Sequence, residues 1–246
     1  MKLGLKGMAG LLIVGLLGAV LAGPQVVRVP FPQGDRLDGG DLVGVDAGGS
    51  YAWVIPTATG VVLVDSGWDD SGAAIESELA GRTVHAVLIT HGHFDHTAGL
   101  PLYPDATVYT APGEGPLLRG EVSPGGMGAR MASTMMGGPA YTPPRLVEFS
   151  DGQSLEIDGE SIRAFHVPGH TGGSAAYIWR DVLFTGDSIV GRGDHVSEMP
   201  SLTYDDVAAV PGSLEKVLDV PFERMADGHA GLHLDARAQV EAFVGR

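Results

Sequence analysis

The 246-residue sequence contains no cysteine. That excludes disulfides and thiolate ligands, and leaves histidine and carboxylate as the only strong metal donors the chain can offer. The absence does not by itself fix a compartment. Positive charge is also scarce: 15 Lys and Arg stand against 30 Asp and Glu, a formal net charge of -15. Such a chain repels phosphate backbones, which argues against a nucleic-acid partner and leaves a small molecule as the expected one. Aromatic residues are few at 7%, yet 44% of the chain is apolar, enough for the core of one sizeable domain. No internal repeat of solenoid length is visible. The apolar run from Met8 to Leu21 is shorter than the roughly 20 residues a spanning helix needs. It follows Lys2 and Lys6 and precedes Ala22-Gly23-Pro24, the three parts of a secretory signal peptide. The expectation is an exported protein, periplasmic or secreted, with residues 1–23 as the leader and 24–246 as a single domain. An uncleaved membrane anchor is the alternative. The sequence leaves the oligomeric state open.

What the chain does have is Thr90-His91-Gly92-His93-Phe94-Asp95-His96, three imidazoles and a carboxylate directly after the apolar, β-branched run 84–89. That run reads as a buried strand. On a helix, residues two apart point nearly opposite ways, whereas in an extended or turning backbone His91 and His93 share a side. The spacing therefore selects a strand-end loop that presents ligands for zinc or another borderline transition metal.

His91-x-His93-x-Asp95-His96 resembles the metal signature of the metallo-β-lactamase superfamily, and four further motifs follow in order. They are Asp65 in Leu-Val-Asp-Ser-Gly, His170 in Pro-Gly-His-Thr-Gly-Gly-Ser, Asp187 in Phe-Thr-Gly-Asp-Ser and His229 in Asp-Gly-His-Ala-Gly. The resemblance covers residues 26 to 245. It implies an α/β (α+β) fold, an αββα four-layer sandwich of two packed mixed sheets with outer helices. It also implies two zinc ions, with iron or manganese as alternatives: His91, His93 and His170 on one, Asp95, His96 and His229 on the other, and Asp187 between them. Water on zinc acidifies to a pKa of about 7, so a hydroxide nucleophile is available without Ser or Cys. The implied activity is hydrolysis of an ester, thioester, lactone or similar acyl substrate. Asp95 is a candidate for proton transfer. Asp65 is expected behind the ligands, fixing the tautomer of one imidazole.

In the β-lactamases proper another residue usually holds the Asp187 position, so the chain looks closer to glyoxalase II, lactonases and related esterases. The short stretch after His229 leaves no room for the glutathione-binding helices of glyoxalase II, which disfavours a glutathione thioester. Other readings are lactam hydrolysis, a mononuclear iron sulfur dioxygenase and a non-catalytic metal-binding protein. His93 stands where the flavodiiron branch carries Glu.

Elsewhere the patterns predict an edge strand at 26–30, a connection over 34–49, a hairpin of 51–56 with 60–65 and a helix over 70–79. A strand follows at 107–110. Segment 112–144 is rich in Gly and Pro and reads as an insertion beside the site. There Met127, Met131 and Met135 would line one helix face, either packed on the core or forming an adaptable apolar lid. Strands 146–149, 154–157 and 161–167 read as a β-meander with turns Asp151-Gly152 and Asp158-Gly159. A hairpin of 175–179 with 182–184, a strand at 222–226 and helices at 204–210, 211–218 and 234–244 complete the pattern. Met131, Met135, His195 and His233 are candidate substrate contacts. His85 and His166 read as strand residues, and Gly172 and Gly173 as serving backbone conformation near His170.

Overall fold

The computed structural model describes residues 36–136 and 140–245. The leader and the strand expected at 26–30 lie outside them.

Short apolar strands separated by turn residues build two sheets. In the first, β1 (Arg36–Asp38), β2 (Val43–Asp46), β3 (Tyr51–Pro56) and β4 (Gly60–Val64) are antiparallel neighbours. On the far side of β4, β5 (Thr83–Leu88), β6 (Thr107–Thr110) and β7 (Leu146–Glu148) add in parallel, so all seven strands lie in chain order. The second sheet begins with β8 (Gln153–Ile157), β9 (Glu160–His166), β10 (Ala175–Trp179) and β11 (Val182–Gly186). After a separate pair, β12 (Val190–Gly191) with β13 (Val196–Ser197), β14 (Arg224–Asp227) and β15 (Leu232–His233) complete it in the order β15-β14-β11-β10-β9-β8. Its one parallel pairing is β11 with β14. The helices among the described residues are α1 (Ala73–Leu79), α2 (Phe94–Thr97), α3 (Gly115–Leu118), α4 (Met127–Met136), α5 (Val210–Leu214) and α6 (Arg237–Val244).

Between the sheets lies a buried layer that includes Trp53, Phe149, Tyr177, Trp179 and Phe184. Trp53 meets Phe184 edge-on at 6.2 Å. Burying each large apolar side chain contributes about 1.5–3 kcal/mol, which makes this layer the main force holding the sheets face to face. Ile75 and Leu79 of α1 cover the outside of the first sheet. Val210 and Leu214 of α5, Phe222, and Val240 and Phe243 of α6 cover the outside of the second. The result is the expected αββα sandwich.

Several boundaries differ from the sequence reading. The 34–49 connection contains β1 and β2; their alternation is too short to register among flanking Gly and Asp, yet Leu42 and Val45 are buried. The first helix begins at 73 rather than 70, because Asp69 folds back to accept from Ser71 N–H and Gly72 is left-handed at φ 62°. No meander joins 146–149 to 154–157: β7 pairs with β6 in the first sheet, and the chain crosses to the second sheet before β8. The Asp158-Gly159 turn does close a hairpin, with both residues at positive φ. The predicted 204–210 helix is a 3-10 turn at Val207–Ala209 capped by Asp206, and Pro211 lies in the first turn of α5. Asp235 at φ 54° delays α6 until Arg237.

Candidate metal centre

Beyond β5 the chain bends at Thr90 and runs without helix or strand to His93, which is extended (φ -67°, ψ 150°) and precedes α2. His91 and His93 therefore project to one side, as the spacing predicted, while Asp95 and His96 ride on the helical turn that follows. His170 arrives on the loop after β9, Asp187 after β11 and His229 after β14. The predicted ligands converge. Donor atoms lie within 4.8 Å of one another in three groups: His91, His93 and His170; His91, His96 and Asp187; and Asp95, His96 and His229. Asp187 faces both sides of the cluster, with Oδ1 3.3 Å from His96 Nε2 and Oδ2 3.1 Å from His229 Nε2 and 3.6 Å from His170 Nε2. Asp95 Oδ2 lies 3.7 Å from the Nε2 atoms of His96 and His229.

Burial holds His91, His93 and His170 below the usual imidazole range, and at His91 and His170 neighbouring imidazoles press the same way. Burial acts likewise on His96 and His229 but is outweighed there. Asp187, Asp65 and Asp95 hold His96 well above the usual range, and Asp187 and Asp95 raise His229. At Asp187 burial pushes the carboxyl up, but His229 and His96 prevail and hold it well below the carboxylate range. Buried atoms without a hydrogen-bond partner include His91 Nε2, His93 Nε2, His96 Nε2, His170 Nδ1 and Asp187 Oδ1. Each such orphan costs about 1–3 kcal/mol, and cations bound in the cluster would satisfy those that face it, such as His96 Nε2 and Asp187 Oδ1. The residues present fit a metal centre.

Loading ions must displace the protons that Asp187 and its neighbours favour on His96 and His229. Zinc uptake at neutral pH is therefore expected to acidify a weakly buffered solution, and affinity should rise with pH through and above the ordinary imidazole range. Potentiometry during titration measures both; affinity independent of pH would contradict the protonation described.

Supporting groups fix these donors. Asp65, itself at φ 62°, accepts from Thr90 N–H (2.8 Å), Thr90 Oγ1–H (2.7 Å) and the Nδ1 side of His96 (2.8 Å), leaving His96 Nε2 to face the centre. Gly228 lets the His229 loop approach, since a Cβ there would lie 2.4 Å from Asp187 Oδ1. Two supporting carboxylates escaped the sequence reading. Fully buried Asp227 accepts from the backbone N–H of His229 and Gly231; its position two residues before the ligand is the turn-forming signal that was available. Glu114 accepts from Gly92 N–H and Thr171 Oγ1–H, and burial pushes its pKa up to about 7; no local motif marks it.

The candidate substrate residues fall elsewhere. His233 is bound to Asp227 Oδ2 at 2.7 Å and braces the His229 loop. His195 is exposed on the β12–β13 turn beside Asp194. His85 meets Asp158 and Thr59, and His166 bonds Gly172 O. Gly172 and Gly173 do not have positive φ; Gly173 instead gives room to Glu114. Met127, Met131 and Met135 are exposed at 65%, 41% and 56%, so the core-packing reading of that face is not what forms. Gly126 and Gly128 seat α4 against Leu202 and Thr203. A cavity of about 200 Å³ beside His93 is lined by Phe94, Leu117, Val122, Pro124 and Ser133, among others; Ser133 is the side chain α4 contributes.

A family model described as the metallo-beta-lactamase superfamily matches residues 45–244. The chain belongs to the metallo-beta-lactamase superfamily. An atrochrysone carboxyl ACP thioesterase of Aspergillus fumigatus is 25% identical over 232 residues, 89% of this chain and 63% of the relative. Across three such thioesterases the chain spans 32% to 63% of their length. Among solved structures, metallo-beta-lactamase SMB-1 bound to 2-mercaptoethanesulfonate superposes with TM-score 0.63 at 22% identity, covering 88% of this chain and 95% of that one. TTHA1623 in a di-iron-bound form gives 0.58 at 29% identity, covering 76% and 90%. The His/Asp set described above fits the dimetal centre of that superfamily's fold.

Proposed function

We propose that the protein is an exported, dinuclear zinc hydrolase that opens an acyl bond in a small molecule, a thioester first and an ester or lactone next. The observation that carries this reading is Asp187, whose Oδ1 lies 3.3 Å from His96 Nε2 in one donor set and whose Oδ2 lies 3.6 Å from His170 Nε2 in the other. An anion so placed relieves the repulsion between two cations. His91, His93 and His170 would hold one ion, and Asp95, His96 and His229 the other. Ions held there supply a water acidified to a pKa of about 7 and a Lewis acid for the carbonyl oxygen. Asp95, whose side chain is 22% exposed while the imidazoles around it are buried, is the carboxylate able to hold a proton for the leaving group. The cavity is smaller than common ligand pockets of about 300–1,000 Å³, which suits one acyl group lodged against Phe94 and Leu117. The thioesterase relative supports the ranking of thioesters.

Metal analysis of the purified protein, followed by a panel of thioesters, esters, lactones, lactams and phosphodiesters, tests this reading. Two zinc equivalents and fastest thioester turnover are expected. A single iron with substrate-dependent oxygen uptake would replace it with the dioxygenase reading, and preferred lactam turnover would reverse the substrate ranking.

Among the described residues no helix is long and apolar enough to cross a membrane. The basic, apolar and small-residue segments at 1–23 support export with removal of the leader near Ala22 or Gly23. N-terminal sequencing of material from the cell exterior or periplasm checks it; an intact chain in the membrane fraction would favour an anchor.

The methionine face of α4 lies opposite Ser133 and outside the cavity lining, and it is proposed as an adaptable apolar lid that meets the part of the substrate left outside the cavity. Replacing Met127, Met131 and Met135 together by Gln should change stability by no more than about 0.5 kcal/mol per site, since all three are exposed. KM for an apolar acyl substrate should rise while metal content is unchanged. An unchanged KM across acyl chain lengths would remove this role.

A further inference from the structure

Glu114 is 1% exposed and stands between β6 and α3, outside the donor cluster. Its partners belong to two loops. Oε1 accepts from the N–H of Gly92, the residue between His91 and His93. Both oxygens accept from Thr171 Oγ1, next to His170, at 3.0 and 3.1 Å, and Gly173 N–H adds a further bond. Gly173 has to be small for this: a Cβ there would lie 2.4 Å from Glu114 Oε2 and 2.6 Å from Glu114 N. Where the two loops meet, His93 Nδ1 lies 3.0 Å from His170 Nε2. His96 and the His229 loop are braced by other groups, Asp65 and Asp227.

We propose that Glu114 is a positioning residue that ties the His91–His93 loop to the His170 loop and so sets the geometry of that one donor set. A buried carboxylate is costly to keep unless its bonds do something a neutral side chain cannot. Here it receives donors from both loops at once, which an apolar residue of similar size could not do. The proposal rests on the dinuclear reading of the centre, and the experiment separates the two.

Glu114→Ala and Glu114→Gln are compared with wild type, first metal-free, by the ring nitrogen signals of 15N-labelled histidines, and then by zinc titration against a chromophoric chelator. In Glu114→Ala the signals of His91, His93 and His170 should move while that of His229 stays. One of two zinc ions should bind about 10–100-fold more weakly and the other as in wild type. Glu114→Gln keeps the size and one carbonyl acceptor for Gly92, so it should recover most of the loss. Glu114→Asp, one methylene too short to reach both loops, should behave like the alanine variant and serves if that one does not fold. Unmoved ring signals, or equal weakening of both ions together with a lowered Tm, would overturn the proposal. Wild type that takes up fewer than two ions would instead overturn the dinuclear reading, and the metal-free ring signals would still decide the role of Glu114.

Discussion

Asp187→Ala is expected to fold, to keep one ion, to hold the second far more weakly, and to lose hydrolysis by more than about 100-fold, the upper end of what loss of a merely supporting group causes. Asp187 Oδ2 is the hydrogen-bond partner of His229 Nε2, and Oδ1 is the nearest carboxylate oxygen to His96 Nε2. Removing it leaves those imidazoles facing each other and any bound cations without an anion between them. The fold should survive, because Asp187 lies beyond the end of β11 and takes no part in the Trp53–Tyr177–Trp179 layer. Its backbone carbonyl, which accepts from Tyr204 Oη at 2.8 Å, is kept in the variant. Asp187→Ser should behave similarly toward esters and thioesters. Metal content, far-ultraviolet circular dichroism and turnover read the three effects apart. Full activity with two ions bound would remove Asp187 from its bridging place.

The second large effect is expected at Asp65. Asn tolerates the left-handed backbone that φ 62° demands, and it preserves an acceptor for Thr90 N–H. Its amide nitrogen, however, would face the Nδ1 side of His96, now 2.8 Å from Asp65 Oδ2. Two donors cannot share that contact, so His96 would have to move its proton to Nε2, the atom that faces the centre. Asp65→Asn should therefore weaken the ion at Asp95, His96 and His229 by about 10–100-fold while leaving the His91, His93 and His170 ion in place. Its cost in stability should be about 1–3 kcal/mol. Asp65→Ala adds strain at φ 62° and should lower Tm further. Competition titration and thermal denaturation check these; loss of both ions in parallel would reduce Asp65 to closing a turn.

The metal ligands were legible because their signal is local and repeated: His91, His93, His170, Asp187 and His229 each follow a strand and adjoin a glycine, and Asp95 and His96 complete the first motif on the turn that follows. The sandwich was not legible from hydrophobic pattern alone. Val147 and Glu148 look no different whether β7 joins β6 or β8, and only the parallel ladder with Val108–Thr110 decides it. Glu114 was invisible for a related reason. Its partners Gly92 and Thr171 lie 22 and 57 residues away, and nothing in the flanking Pro-Gly-Glu-Gly reports a contact across that distance. The methionine spacing did predict a helix face, but periodicity cannot tell a face turned to the core from one turned to solvent, and here it is exposed.

Every one of the three donor groups draws side chains from both halves of the molecule: His91, His93, Asp95 and His96 follow a strand of the first sheet, while His170, Asp187 and His229 follow strands of the second. Neither half can grip an ion alone, so occupancy is thermodynamically linked to the docking of one sheet on the other. An ion at 100 times its dissociation constant would add about 2.7 kcal/mol to the docked state. The same linkage makes chelation a mechanical act: stripping the centre returns the buried imidazoles and carboxylates to an uncompensated seam, and the sheets should open there first. Hydrogen exchange at the ends of β5, β9, β11 and β14 would then speed up ahead of exchange beneath Trp53 and Trp179.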